Sequence, residues 1–240
     1  MKRLKLLFLC IAVILVSAGC TVRQDIGISA GRGGEVFIDL ELNPVFVKYI
    51  SDLSEVTGRS ASEGIFNTEE ISSAISDYPG TEPVSVTSPD SSRLNIILRS
   101  GDFTQVLPAE YEPLVRIEDS KGIRTVSFHL GADNYGALDR IFGISGNPVL
   151  SPLAPQTGNP YSEEEYVSLV DYIFADYLDK SVTAEKILKE SVVQLNIRTS
   201  GNIIFSDMGE YKGNLLKVRI PAVRFLTLDK PVNFSFRYSI

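Results

Sequence analysis

Cys20 is the residue best placed to do chemistry. It follows Ser17-Ala18-Gly19, which close the apolar run LLFLCIAVILV that begins after Lys2, Arg3 and Lys5. A thiol is a strong nucleophile near neutral pH once part of it is ionised. A basic head, a short apolar middle and a small-residue end are the parts of a secretory signal, with a core too short for a stable spanning helix. Such a signal is cut after small residues and has no use for a cysteine, so Cys20 calls for a second function. The other cysteine, Cys10, lies inside the segment to be removed. Cleavage before residue 20 leaves one cysteine and no intramolecular disulfide, although export leads to a compartment where disulfides often persist.

Other candidates for chemistry are weaker. His129 is the single histidine and sits in the strand-like TVSFHL, on the face opposite Phe128 and Leu130. With no second histidine and no spare cysteine, neither a metal site nor a triad can be assembled around it, so it reads as a surface strand residue. Glu163-Glu164-Glu165 is the densest carboxylate group, but it falls on the first turn of a helix, where exposed N–H groups favour negative charge. Gly31-Arg32-Gly33-Gly34 lacks the G-K-[ST] ending of a phosphate loop and precedes a strand, so it reads as a hairpin turn. The expectation is no catalytic residue, no metal and no cofactor.

Ser17-Ala18-Gly19-Cys20 resembles the lipobox of bacterial lipoproteins. That resemblance implies a diacylglyceryl group on the Cys20 sulfur, cleavage just before it and acylation of the new amino terminus. The partner so implied is a membrane of the cell envelope, and more than one acyl chain is what durable anchoring takes. In a Gram-negative cell Thr21 at the second mature position, in place of aspartate, implies the outer membrane. The chain carries 23 basic and 30 acidic residues, a net charge of −7. Loss of Lys2, Arg3 and Lys5 deepens this to about −10, which opposes binding to nucleic acid. Residues 20–25 read as the lipidated cysteine and a tether, with the first strand beginning near Ile26. Such a tether reaches under about 20 Å.

The elements that must position any site follow from periodicity. Val36, Ile38, Leu40 and Leu42 alternate with Glu35, Asp39 and Glu41, the pattern of a half-buried strand. Pro44 opens a helix over about 44–57, and Asn67 with Glu70 caps another over about 68–78. Strands follow at about 82–88 and 92–99, then LVRIED and IRTVSFHL about the turn Ser120-Lys121-Gly122, then a helix over about 133–142. Ser162 with Glu165 forms a capping box before a helix carrying Tyr166, Leu169, Val170, Ile173, Phe174 and Tyr177, and a short helix spans about 183–190. The strands VVQLNIR, GNIIFSD, LLKVRIP and PVNFSFRY end the chain, with Phe234, Phe236 and Tyr238 as core residues. Strands with one wet face call for antiparallel pairing, so the expected class is α+β: largely antiparallel sheets with helices packed on one face. The folded domain is residues 26–240, and a division into two subdomains would fall at the 143–160 loop.

That loop, GISGNPVLSPLAPQTGNP, keeps no period. It reads as a connector or, with Ile144, Val149, Leu150 and Leu153, as a flap over an apolar ligand pocket.

Residues 201–238 resemble the end of LppM-type bacterial lipoprotein domains. The likeness rests on a strand opening at Gly201, a turn near Gly213, the alternating Leu215 to Ile220 and the final strand Val232 to Tyr238. One departure is that no hydrophobic segment follows Tyr238, where some relatives carry a C-terminal membrane helix. The resemblance implies an α+β envelope domain in contact with lipid or glycolipid. The function expected is that of a non-catalytic lipid-anchored protein binding a lipid or amphipathic ligand or an envelope protein partner. The alternative is a structural or assembly role through a sheet edge or a wet sheet face bearing Glu35, Asp39, Glu41, Arg99, Lys217 and Arg219. A carboxylate-dependent envelope hydrolase is a third and weaker reading.

Overall fold

The computed structural model describes residues 20–56, 65–76, 80–105, 111–142 and 151–240. Strand β1 (Cys20–Ile28) and strand β2 (Gly34–Leu42) form the opening hairpin, in register from Cys20 opposite Leu42 to Ile28 opposite Gly34. The strand thus begins six residues before the expected Ile26, and residues 20–25 are not a tether. Thr21 and Val22 are β-branched and suit a pleated sheet, Val22 is fully buried, and β1 is flanked by a strand on each side. Backbone groups paired on both sides have no reason to leave the sheet for solvent.

Five more strands complete the first sheet: β3 (Thr81–Asp90), β4 (Arg93–Ser100), β7 (Val192–Arg198), β9 (Glu210–Lys212) and β10 (Leu215–Pro221), in the order β3-β4-β2-β1-β7-β10-β9. All pairs are antiparallel except β1 with β7, which runs parallel. A parallel pair needs a long crossover, and here the chain between Ile28 and Val192 supplies it. Pro83 lies on β3, an edge strand, where its missing N–H costs no interior hydrogen bond. The second sheet is antiparallel, in the order β5 (Val115–Ser120), β6 (Ile123–Leu130), β11 (Val232–Ser239), β8 (Ile203–Ser206). Lys121 and Gly122 both have positive φ between β5 and β6, as a two-residue hairpin turn requires. Both sheets draw strands from before residue 143 and from after residue 160, so that loop does not divide the chain into subdomains.

Six α-helices lie among the described residues: α1 (Pro44–Val56), α2 (Thr68–Ser76), α3 (Ala132–Phe142), α4 (Glu163–Ile173), α5 (Ala184–Glu190) and α6 (Val223–Thr227). The capping box of α4 is present: Glu165 N–H donates to Ser162 Oγ at 3.3 Å, and Ser162 N–H donates to Glu165 Oε2 at 2.8 Å. Their inner residues, among them Phe46, Tyr166, Phe174 and Phe225, join Val22, Leu40, Leu216 and Phe236 in one continuous core. Phe46 and Phe174 pack with ring centroids 5.6 Å apart, and Tyr49 meets Phe174 edge-on at 4.8 Å. On the seven-stranded sheet α2 packs against β3, and α5 and α6 against β10, while α3 packs against β6 of the four-stranded sheet. The fold is α+β, with largely antiparallel sheets.

Candidate functional site

The other face of the seven-stranded sheet lies open. Registers carry rows of outward residues across it: Asn95, Asp39, Arg23, Gln194 and Arg219 form one, and Ile97, Phe37, Asp25, Asn196 and Lys217 form the next. Phe37 and Ile97 are cross-strand partners, half-buried yet outside the core. Arg23 pairs with Asp25 at 2.8 Å, and Asp25 accepts from Asn196 Nδ2 at 2.6 Å. Asp39 Oδ1 and Asn95 Oδ1 are buried and accept no hydrogen bond from the described residues.

Charge on this face is divided. On β3, β4 and β2 stand Glu82, Asp90, Glu35, Asp39 and Glu41 with Arg93 and Arg99; Arg99 pairs with Glu35 at 3.3 Å and Arg93 with Asp39 and Glu41 at 3.6 Å. On β7, β10 and β9 stand Arg198, Lys217, Arg219 and Lys212 with Glu210. All four cations are exposed, and among the described residues none forms an ion pair. The sequence suggested Lys217 and Arg219 for the wet face; Arg198 and Lys212 join them only through the register.

The hairpin end of the same sheet holds a cleft of about 790 Å³. Its walls include Gly27, Gly34, Gly80 and Gly101, with Glu35 and Arg99 at the rim. The glycines have a packing cause: a Cβ on Gly34 would stand 1.8 Å from the Gly27 carbonyl oxygen, and one on Gly33 2.2 Å from that of Ser100. The cleft marks close backbone approach, and the hairpin turn spans 29–33, closed by the Ser29 N–H donating to the Gly33 carbonyl, with Gly34 already on β2.

The remaining candidates are dispersed. Both ring nitrogens of His129 are engaged, Nδ1 with Asn233 Oδ1 at 2.7 Å and Nε2 with Asp133 Oδ2 at 2.9 Å. Burial would lower its pKa, but these hydrogen bonds and the charges of Asp133 and Glu112 outweigh it and the pKa is raised. The ring is held between two side-chain oxygens. Glu163, Glu164 and Glu165 lie exposed on the first turn of α4, and Glu165 is occupied by the cap. No group of three or more His, Cys, Asp or Glu side chains suited to a metal ion occurs among the described residues.

Of the flap residues, Ile144, Val149 and Leu150 lie outside the described residues. Leu153 is buried in a 3-10 turn (Ser151–Leu153), and its carbonyl accepts from the buried Tyr166 hydroxyl at 2.8 Å. Burial pushes the Tyr166 and Tyr135 hydroxyls well above the usual phenol range, and among the described residues the buried Tyr135 hydroxyl has no hydrogen-bond partner. Sequence reasoning missed Arg124, a buried guanidinium on β6 that donates to Asp119 and to the Ala30 and Gly31 carbonyls of the first hairpin. Its signal was present: Arg124 shares the inward phase of Val126 and Leu130.

Among the described residues no helix is long and apolar enough to cross a membrane. No family model and no curated protein matches this chain. Among solved structures it is similar to the folded domain of the Mycobacterium tuberculosis LppM protein, determined by NMR. That match has a TM-score of 0.42 and 8% sequence identity, over 92% of this chain and 90% of that one.

Proposed function

We propose that this is a non-catalytic lipoprotein of the cell envelope, anchored through acyl chains on Cys20, that works by docking a partner on its open sheet face. The observation that carries the reading is that face: seven strands wide, with four exposed cations on one half that form no ion pair among the described residues, and a carboxylate-rich other half. On β2 and β4 opposite charges stand side by side across the strands, whereas among the described residues Arg198, Lys212, Lys217 and Arg219 form no ion pair.

The anchor reading has support from the basic head, apolar run and small residues before Cys20. Because β1 starts at Cys20, acylation there would hold that end of the sheet against the lipid surface with no slack. Seven residues at roughly 3.3 Å then separate Cys20 from Gly27, so the glycine-lined cleft would stand about 20 Å from the bilayer. The face rises along the same length, which suits a protein partner more than a lipid headgroup, since screening confines surface charge effects to roughly 8 Å.

Native mass spectrometry of gently extracted protein tests this. Bound protein subunits, lost when Arg198, Lys217 and Arg219 are replaced by glutamate, are the expected result. A bound lipid that survives those substitutions, with no subunit, would favour the amphipathic-ligand reading instead.

A further inference from the structure

The partner that the face itself describes is a second copy of this chain. We propose that two copies pair face to face through the seven-stranded sheet, about a two-fold axis that runs along β1; this rests on the docking reading above and names the occupant.

Charge selects the partner. The β3, β4 and β2 half carries five carboxylates against two arginines, and the β7, β10 and β9 half carries four cations against one carboxylate. The halves thus differ in sign by equal amounts, three negative and three positive. Isologous association needs a patch complementary to itself, and these halves supply that.

Geometry then selects the axis. β1 is the fourth of seven strands, so rotation about it lays β2 over the other copy's β7, β4 over its β10 and β3 over its β9. Glu35 on β2 then lies at the height of Arg198 on the other copy's β7, and Glu82 on β3 at that of Lys212 on its β9, while β4, which carries Arg93 and Arg99, lies over β10. Arg219 falls at the height of Asp39 and Asn95, whose Oδ1 atoms have no donor. The ion-paired Arg23 and Asp25 put no net charge on the axis. Rotation about an axis across the strands would instead lay acid on acid and base on base.

The same axis also fits the anchor. Turning about a line parallel to the strands keeps both Cys20 residues at one end, so both copies would insert in one leaflet. The cross-strand axis would send them to opposite ends. Two independent features, charge division and anchor position, choose the same symmetry.

The area is sufficient. Seven strands spaced about 4.8 Å apart and roughly 23 Å long offer on the order of 700 Å² per copy, close to the ~800 Å² of a standard stable interface. Phe37 and Ile97, half-exposed to water in a single copy, would be covered.

A charge swap on the full chain, extracted in mild detergent, decides it. One variant carries Arg198→Glu, Lys217→Glu and Arg219→Glu; the other carries Glu35→Lys, Glu41→Lys and Glu82→Lys, and circular dichroism checks that both fold. Native mass spectrometry should show two copies for the unaltered chain at low salt and association at least about tenfold weaker for each variant alone. Mixing the variants should restore a two-copy species with one of each. A single copy of the unaltered chain at low salt, variants that pair as well as it does, or a mixture that stays single would overturn the proposal. The same spectra weigh Cys20. An acyl-free Cys20 with the swap pattern intact refutes the anchor alone, and an acylated Cys20 with single copies throughout refutes the pairing alone.

Discussion

Arg124 and Asp119 are joined by two parallel hydrogen bonds, Nε to Oδ1 at 2.6 Å and Nη2 to Oδ2 at 2.7 Å. The remaining nitrogen, Nη1, donates to the Ala30 carbonyl at 3.0 Å and to that of Gly31, so a residue of the second sheet grips the hairpin turn of the first. Replacing Arg124 with Met leaves both carbonyls without this donor. A loss of about 2–3 kcal/mol is expected, read as a lower denaturant midpoint. Arg124→Lys should recover only part of it, because an ammonium cannot make the planar two-point contact. Arg124 also holds the Asp119 carboxyl below its usual range. That contribution is present above the unfolded value near pH 3.9 and fades as pH falls through the lower folded one.

The single histidine gives one clean titration. Burial works against the His129 charge, but the Asn233 and Asp133 hydrogen bonds prevail, so its midpoint by NMR should lie above the unfolded value of about 6.5. Stability from this contact is complete below that value and is lost as pH rises through the folded midpoint. Asp133→Asn should bring the midpoint down. A midpoint unchanged by that substitution would mean that the pair is absent in solution.

Two buried tyrosines should respond in opposite ways to loss of the hydroxyl. Tyr166 donates to the Leu153 carbonyl at 2.8 Å, so Tyr166→Phe leaves a buried acceptor unpaired and should cost about 1–2 kcal/mol. Among the described residues the Tyr135 hydroxyl has no hydrogen-bond partner, so Tyr135→Phe should be neutral or stabilising in the same thermal melt.

Gly34→Ala should prevent stable folding. The new Cβ would stand 1.8 Å from the Gly27 carbonyl oxygen, which is backbone in a paired strand and has nowhere to move. A cost above about 3 kcal/mol is expected. Gly122→Ala meets only open space and should cost about 1 kcal/mol for its positive φ. Comparing the soluble yield and melting of the two separates steric from conformational effects.

Alternation made the strand faces legible. Ile38 and Leu40, Leu94 and Ile96, Leu216 and Val218 all point inward as their spacing requires, and the α4 cap forms as Ser162 and Glu165 imply. Pairing was not legible, because VVQLNIR has the same phase whether its neighbour runs parallel or antiparallel, and so the β1 to β7 contact stayed hidden. The early start of β1 was obscured by the apolar run and small residues abutting it. α6 spans five residues, less than two helical turns, too few for a period to show. The face residues Glu35, Asp39, Glu41, Arg99, Lys217 and Arg219 were individually visible. Their division into halves was not, since it depends on the order of strands in space.

What Cys20 carries decides where the protein is held. Trypsin cuts after Arg23, so mass spectrometry of protein taken from its native membrane should give the peptide Cys20 to Arg23 with its first residue bearing a diacylglyceryl group. A peptide that begins elsewhere, or a Cys20 whose bare thiol takes up an alkylating reagent, would contradict it.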